Sequence, residues 1–231
     1  MQSPLFKPTA PPTRTADAPL YPARIVGAHA VHEHRGKQVA RFSGSDLEAV
    51  GYIFLEDRRR FATDVEVVFE SGCQRMLFLR AERYQTAKLL LGITVEREAE
   101  AHVVLLLKNA AEAALAADIK AKVAEHGRLT MSVFHLNQGQ TTADVSVINA
   151  TSGQSDVALF DVGRGSGKAD FRLENICAAP FSGGQLTTRC MLYDQAKSRI
   201  QAVPVIVPDA HDTSNHLDQM SILFSPHARA E

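Results

Sequence analysis

No surplus of charge marks this 231-residue sequence, in which 26 acidic residues face 25 basic ones for a formal net charge of −1. Without a summed field of one sign, nothing draws the chain to nucleic acid or to an anionic membrane, and neither is expected as a partner. Cysteine is equally sparse. Cys73, Cys177 and Cys190 stand far apart, show no C-x-x-C spacing and cannot all pair within one chain, which fits a reducing cytoplasm. No apolar run reaches the roughly 18 residues of a membrane span. The first two dozen residues have no apolar segment of the kind a secretory signal needs. A soluble, cytoplasmic protein is the expectation. The sequence also holds no G-x-S-x-G element, no H-E-x-x-H element and no recognisable Ser/His/Asp set, so nothing points to an enzyme.

The length allows one sizeable domain with an N-terminal appendage. Pro4, Pro8, Pro11, Pro12, Pro19 and Pro22 fall in Met1 to Arg24, and each removes a backbone donor and fixes φ. Residues 1–24 are therefore expected to form a loose arm. In residues 25–62, Ala23 to Val31 and Gln38 to Phe42 suggest short strands, and Ser45 to Ala49 suggests a helical turn capped by Ser45 or Asp46. Both are expected to pack on a core spanning 63–231.

From Thr63 onward, short β-rich runs bend around small residues, and the pattern recurs. Val65 to Phe69 turns at Ser71-Gly72 into Arg75 to Leu79, Ile93 to Glu96 turns into His102 to Leu107, and Ile119 to Val123 turns into Leu129 to Phe134. Later, Cys177 to Phe181 precedes Ser182-Gly183 and Leu186 to Leu192. The turn centres Gly72, Ala99, Gly127, Gly153, Gly183 and Ala210 lie about 27 residues apart, a spacing typical of solenoids. A bent strand pair cannot cover its apolar face alone, so such pairs stack into a continuous core. Glycine at the bends is expected to supply positive φ. An antiparallel sandwich also uses many short strands, and periodicity alone leaves it open. Asn109 to Ala117 is alanine-rich, yet its length and flanking strands favour a bend over a helix.

Specificity sits near the C-terminal end. Asp194-Gln-Ala196-Lys-Ser198, then Pro208-Asp-Ala210-His-Asp-Thr213, then Ile222-Leu-Phe-Ser225-Pro-His-Ala228 follow one another with strands and a polar run between them. This succession resembles the SufB/SufD family of iron–sulfur cluster assembly proteins, in which "D-x-A-x-S/G", "P-x-A-x-x-T" and "L-L-L-S-x-x-A" occur in that order. Weaker likeness in turn placement runs back to Thr63. The resemblance implies an all-β fold, a right-handed parallel β-helix or β-solenoid. It also implies a non-catalytic SufD-like platform subunit that pairs with a SufB-like or identical protomer.

Departures from the family pattern limit what carries over. The family's later "H-G-A-T"-like stretch and the helices that dock a SufC-like ATPase have no counterpart before Glu231, which makes that ATPase a doubtful partner. Where a scaffold subunit places its proposed cluster cysteine, alignment puts Gln219, and an amide is a poor iron ligand. No resident cofactor is expected, only a transient iron–sulfur cluster shared with a partner.

Several residues invite a ligand reading. His211, Asp212, His216 and Asp218 form the densest set of metal-ligand types, although strand parity groups His216 with Asp218 and Asp212 rather than with His211. A solvated corner accounts for them as well. His32 and His34 share strand spacing without a third ligand. A bend at Ser182-Gly183 could bring Cys177 and Cys190 together, against the simpler reading of both as small core hydrophobes. Cys73, beside a tight turn, is expected to be exposed. Gly163-Arg-Gly-Ser-Gly-Lys168 fails as a P-loop because Ala169 replaces the hydroxyl residue and no helix follows, leaving a basic loop between strands.

Overall fold

The computed structural model describes residues 22–34, 36–45, 50–55, 60–82 and 84–231. The arm through residue 21 and most of the turn expected at 45–49 lie outside these. The strands begin with β1 (Arg24–Val26), β2 (Ala30–His34), β3 (Lys37–Phe42), β4 (Val50–Leu55), β5 (Arg60–Phe69) and β6 (Gln74–Ala81). They continue with β7 (Thr86–Val95), β8 (Glu100–Asn109), β9 (Ala114–Val123), β10 (Arg128–Asn137), β11 (Gln140–Asn149) and β12 (Gln154–Gly163). The last are β13 (Lys168–Cys177), β14 (Gly183–Leu192), β15 (Lys197–Ile206), β16 (Ser214–Leu223) and β17 (Arg229–Ala230). No helix occurs among the described residues, so none is long and apolar enough to cross a membrane.

From β3 onward alternate strands belong to two sheets, one ordered β1-β4-β6-β8-β10-β12-β14-β16 and the other β17-β15-β13-β11-β9-β7-β5-β3-β2. From β3 and β4 onward every neighbour within a sheet is parallel, so the chain climbs one strand spacing with each circuit. The result is a right-handed parallel β-solenoid of about seven turns. Strict alternation builds its interior. In β10, for example, Leu129, Met131, Val133, His135 and Asn137 are buried while their neighbours face out, and the partners in β8 and β12 repeat that phase.

Two stacks of corners close each turn. The first holds the turn centres named from the sequence except Gly183, which opens β14 beside Gln154, and the positive φ falls mostly elsewhere than expected. Gly72 has φ of 69°, whereas Glu98, His126 and Ser152 take 58°, 57° and 55° in place of Ala99, Gly127 and Gly153. Those three face inward and are needed for their size. A Cβ on Gly127 would lie 3.1 Å from the Ala124 carbonyl and 3.2 Å from that of Glu96 in the turn below. The Ala110–Ala113 stretch is a bend of the second stack, with Ala113, Gly139, Gly167 and Ala196 each preceding the next strand. The run through Cys177 ends sooner than expected: β13 stops at Cys177, and residues 178–182 form a longer corner.

The two ends of the coil differ. At the start, β1 pairs antiparallel with β4 and β2 pairs antiparallel with β3, and Gln38 ties β3 to the entering chain by accepting from Ala23 N–H at 2.5 Å and donating back to Ala23 O at 3.2 Å. Antiparallel strands laid over the rim blunt the edges there. At the other end, β16 is an edge, and β17 covers only the first two residues of β15.

Candidate functional site

Polar side chains enter the apolar interior in its later turns. The same inward position on consecutive strands of one sheet holds Ala81, Leu107, His135, Asp161, Cys190 and Ser221. His135 Nδ1 lies 2.7 Å from Asp161 Oδ1, and both residues are fully buried. The other ring nitrogen, Nε2, is 2.8 Å from the Thr141 hydroxyl of the opposite sheet. Cys190 Sγ sits 3.8 Å from Asp161 Oδ2, and burial, with the adjacent carboxylate, pushes its thiol up to about 12. Because a thiol so shifted stays protonated at neutral pH, Cys190 is a poor nucleophile as it stands.

A second polar column follows the first stack of corners. Asn149 donates to the Ser155 hydroxyl at 2.8 Å, to Asn175 Oδ1 at 2.9 Å and to the Gly183 carbonyl at 3.2 Å. Asn215 continues it by donating to the Asn175 carbonyl at 2.8 Å. Gly184 leaves the required space, since a Cβ there would meet the side chains of Asn175 and Asn215 at 2.7 Å. Within a low-dielectric interior such bonded columns fix the strand register, because a slip leaves buried donors unpaired.

Both columns lead to the open end. In β15 and β16 the inward positions held by core side chains in earlier turns carry Pro204, Ile206, Leu217, Gln219, Ser221 and Leu223, and all six are exposed. Ile206 and Leu223 each keep 49% of their surface in solvent, and Phe224 keeps 55%. Phe224 stacks on Tyr193 at 4.5 Å, and the Arg164 guanidinium lies 5.1 Å from the centre of the Tyr193 ring.

The residues singled out in the sequence disperse. His211 and Asp212 occupy an exposed corner, 3.0 Å apart, with the Phe181 ring against His211. His216 and Asp218 lie on the outer face of β16, where Arg189 binds Asp218 and holds its carboxyl below the usual range. Cys177 and Cys190 do not meet. Cys177 abuts the corner before Gly183, while Cys190 lies seven residues farther along β14, about 23 Å at ordinary strand rise. Cys73 is fully buried, contrary to expectation, because it precedes Gln74 as Ala99 precedes Glu100 and faces inward at that corner. Burial raises the Cys73 and Cys177 thiols as well. His32 is exposed on β2, and the side chain of His34 lies outside the described residues. Among the described residues no group of three or more His, Cys, Asp or Glu is arranged to hold a metal ion.

The His135–Asp161–Cys190 column escaped the sequence reading. Its members are 26 and 29 residues apart, close to the repeat length, and each puts a polar or thiol group at a position that is apolar in earlier turns. That is the signal by which it could have been found.

No curated protein matches the chain. A family model described as "SUF system FeS cluster assembly, SufBD core domain" matches residues 55–231, the stretch that runs from the end of β4 through β17. Covering more than half of the sequence and almost the whole solenoid, this match shows that the chain belongs to the SufBD core family of the SUF iron–sulfur cluster assembly system.

Proposed function

We propose that the protein is a SufD-like platform subunit that supports iron–sulfur cluster assembly without catalysing a reaction, and that it does so by pairing through its open end with a SufB-like or identical solenoid. The observation that carries this reading is the exposure of inward-phase side chains in β15 and β16, with Ile206, Leu217 and Leu223 in solvent where earlier turns are sealed. Exposed sheet edges offer unpaired N–H and C=O groups to a further strand, and the apolar rows beside them supply the burial that makes such pairing specific. A cluster is cargo in this scheme. The three cysteines are buried and apart, and Gln219 offers an amide at the open end, so the partner supplies the thiolates.

Size-exclusion chromatography with light scattering tests the pairing. A dimer, or a one-to-one complex with a SufB-like protein, is expected, and the double variant Ile206→Glu, Leu223→Lys should reduce it to monomer. A clean monomer at high concentration with no affinity for a SufB-like protein would overturn the proposal.

A further inference from the structure

Positive charge accumulates on one edge of the solenoid in a way its composition does not require. β13, β15 and β17 open on Lys168, Lys197 and Arg229, and the register puts Lys197 beside Lys168 on one side and Arg229 on the other. Strands in a sheet lie about 4.8 Å apart. The backbones that carry these three cations therefore stand in one row at neighbour spacings below the screening length of about 8 Å at physiological salt, and all three side chains line one cleft. Directly opposed like charges destabilise a sheet. Elsewhere on the same sheet opposite charges are matched, as with Lys37 and Glu66 at 2.7 Å or Lys120 and Asp118 at 2.8 Å. Among the described residues no carboxylate makes an ion pair with any of the three. Asp170 faces Arg199 at 4.0 Å, and the Asp194 carboxylate accepts from the Gly165 N–H at 2.9 Å.

The row borders a cleft of about 340 Å³ that Ser166, Gln195 and His227 also line. These three come from successive corners of the second stack, so the cleft repeats a donor-bearing side chain at each level. Its lowest level is the glycine-rich segment 163–168, in which Gly165 takes φ of 62° and Gly167 N–H bonds the Arg164 carbonyl at 3.1 Å. The segment is no P-loop, yet the fold delivers its hydroxyl and its ammonium, Ser166 and Lys168, to the same cleft.

We infer that this cleft is a binding site for phosphoryl groups of a small molecule. Lys168 and Lys197 supply point charges, Arg229 supplies a planar fork suited to two phosphoryl oxygens, and Ser166 and Gln195 supply neutral donors. An ion carrying two or more negative charges relieves repulsion along the row that a single carboxylate would leave. The inference stands apart from the pairing role and concerns the chain alone.

Isothermal titration with sodium pyrophosphate and inorganic phosphate, against chloride at matched ionic strength, tests it. Pyrophosphate should bind more tightly than about 1 mM and phosphate more weakly. Lys197→Gln and Arg229→Gln should each weaken pyrophosphate by about tenfold or more, the scale of one lost charge-assisted hydrogen bond. Without phosphate and at low salt, Lys197→Gln should unfold at a higher urea concentration than the wild type, because the middle of a repelling row has been neutralised. Undetectable binding at 10 mM, affinity unchanged in both variants, or an equal response to chloride would overturn the inference. So would a lower unfolding midpoint for Lys197→Gln. If that variant fails to fold, Lys168→Gln carries the same comparison.

Discussion

Inside the solenoid the imidazole of His135 stands directly over the carboxylate of Asp161, with 2.7 Å between Nδ1 and Oδ1 and no solvent contact for either residue. Taking such a pair out of water is costly, and its mutual attraction offsets that cost only while both partners remain. Asp161→Leu alone and His135→Leu alone should therefore each destabilise by about 3–5 kcal/mol, whereas the double variant His135→Leu, Asp161→Leu should return close to wild type. Urea midpoints of the two singles and the double form a cycle that measures the coupling directly. Additive singles would mean the pair contributes nothing beyond packing.

Cys190 gives the protein an alkaline sensitivity whose sign follows from its neighbours. Burial, with the Asp161 carboxylate beside it, pushes its thiol up to about 12 in the folded chain, against about 8.5 for a free cysteine. The folded state thus holds the proton more tightly. The stability this confers is complete below the unfolded value and is lost as pH rises through that window, at about 1.4 kcal/mol per pH unit for one group. Cys73 and Cys177 shift in the same direction and add to the slope. Cys190→Ala should flatten the decline by one group's share between about pH 9 and 12, as followed by unfolding at stepped pH.

Gly139 and Gly72 occupy corners on opposite edges and should respond differently to alanine. A Cβ on Gly139 would lie 2.3 Å from the Ala113 carbonyl oxygen and 2.5 Å from that of Ala110, both backbone atoms of the turn below. The corner stack must then part, and Gly139→Ala should cost more than about 2 kcal/mol. Gly72 has open space around it, and the only strain is its φ of 69°, so Gly72→Ala should cost about 1 kcal/mol. Thermal unfolding of the two variants side by side distinguishes crowding from backbone strain.

Asn149 bridges two turns through one amide nitrogen, with Ser155 at 2.8 Å and Asn175 at 2.9 Å. Asn149→Ala removes the amide donor from both, leaving the Asn175 oxygen with the Ser155 hydroxyl at 3.1 Å and the Gly183 carbonyl without its side-chain donor, and should cost about 1–3 kcal/mol. Hydrogen exchange should show the loss concentrated in β11 to β14, since turns of a solenoid contact only their neighbours. Uniform loss of protection from β5 to β15 would instead indicate that the coil unfolds as one unit.

Much of this architecture was legible beforehand. The bends at Gly72, Ala99, Gly127, Gly153 and Ala210 mark one stack of corners because every circuit must turn within a few residues, and small residues are what a stacked turn admits. The run from Asp194 to Ala228 carried the family likeness because its spacing is tied to one corner and the strands on either side. Alternation fixed which residues of each strand share a face, as in Leu129, Met131 and Val133.

What sat opposite what was settled only by the folded chain. Equivalent positions advance by 26 residues from Arg128 to Gln154, by 29 from there to Gly183 and by 31 from there to Ser214, so no constant period superimposes one turn on the next. Corner length absorbs the difference, and corner length is invisible until strands are paired. That is why the separation of Cys177 from Cys190, the burial of Cys73 and the cationic row from Lys168 to Arg229 could not be found in the chain's order, and why the spacing of His135 and Asp161 marks them as odd polar positions there without stacking one on the other. Each depends on a register set by hydrogen bonds between residues far apart along the backbone.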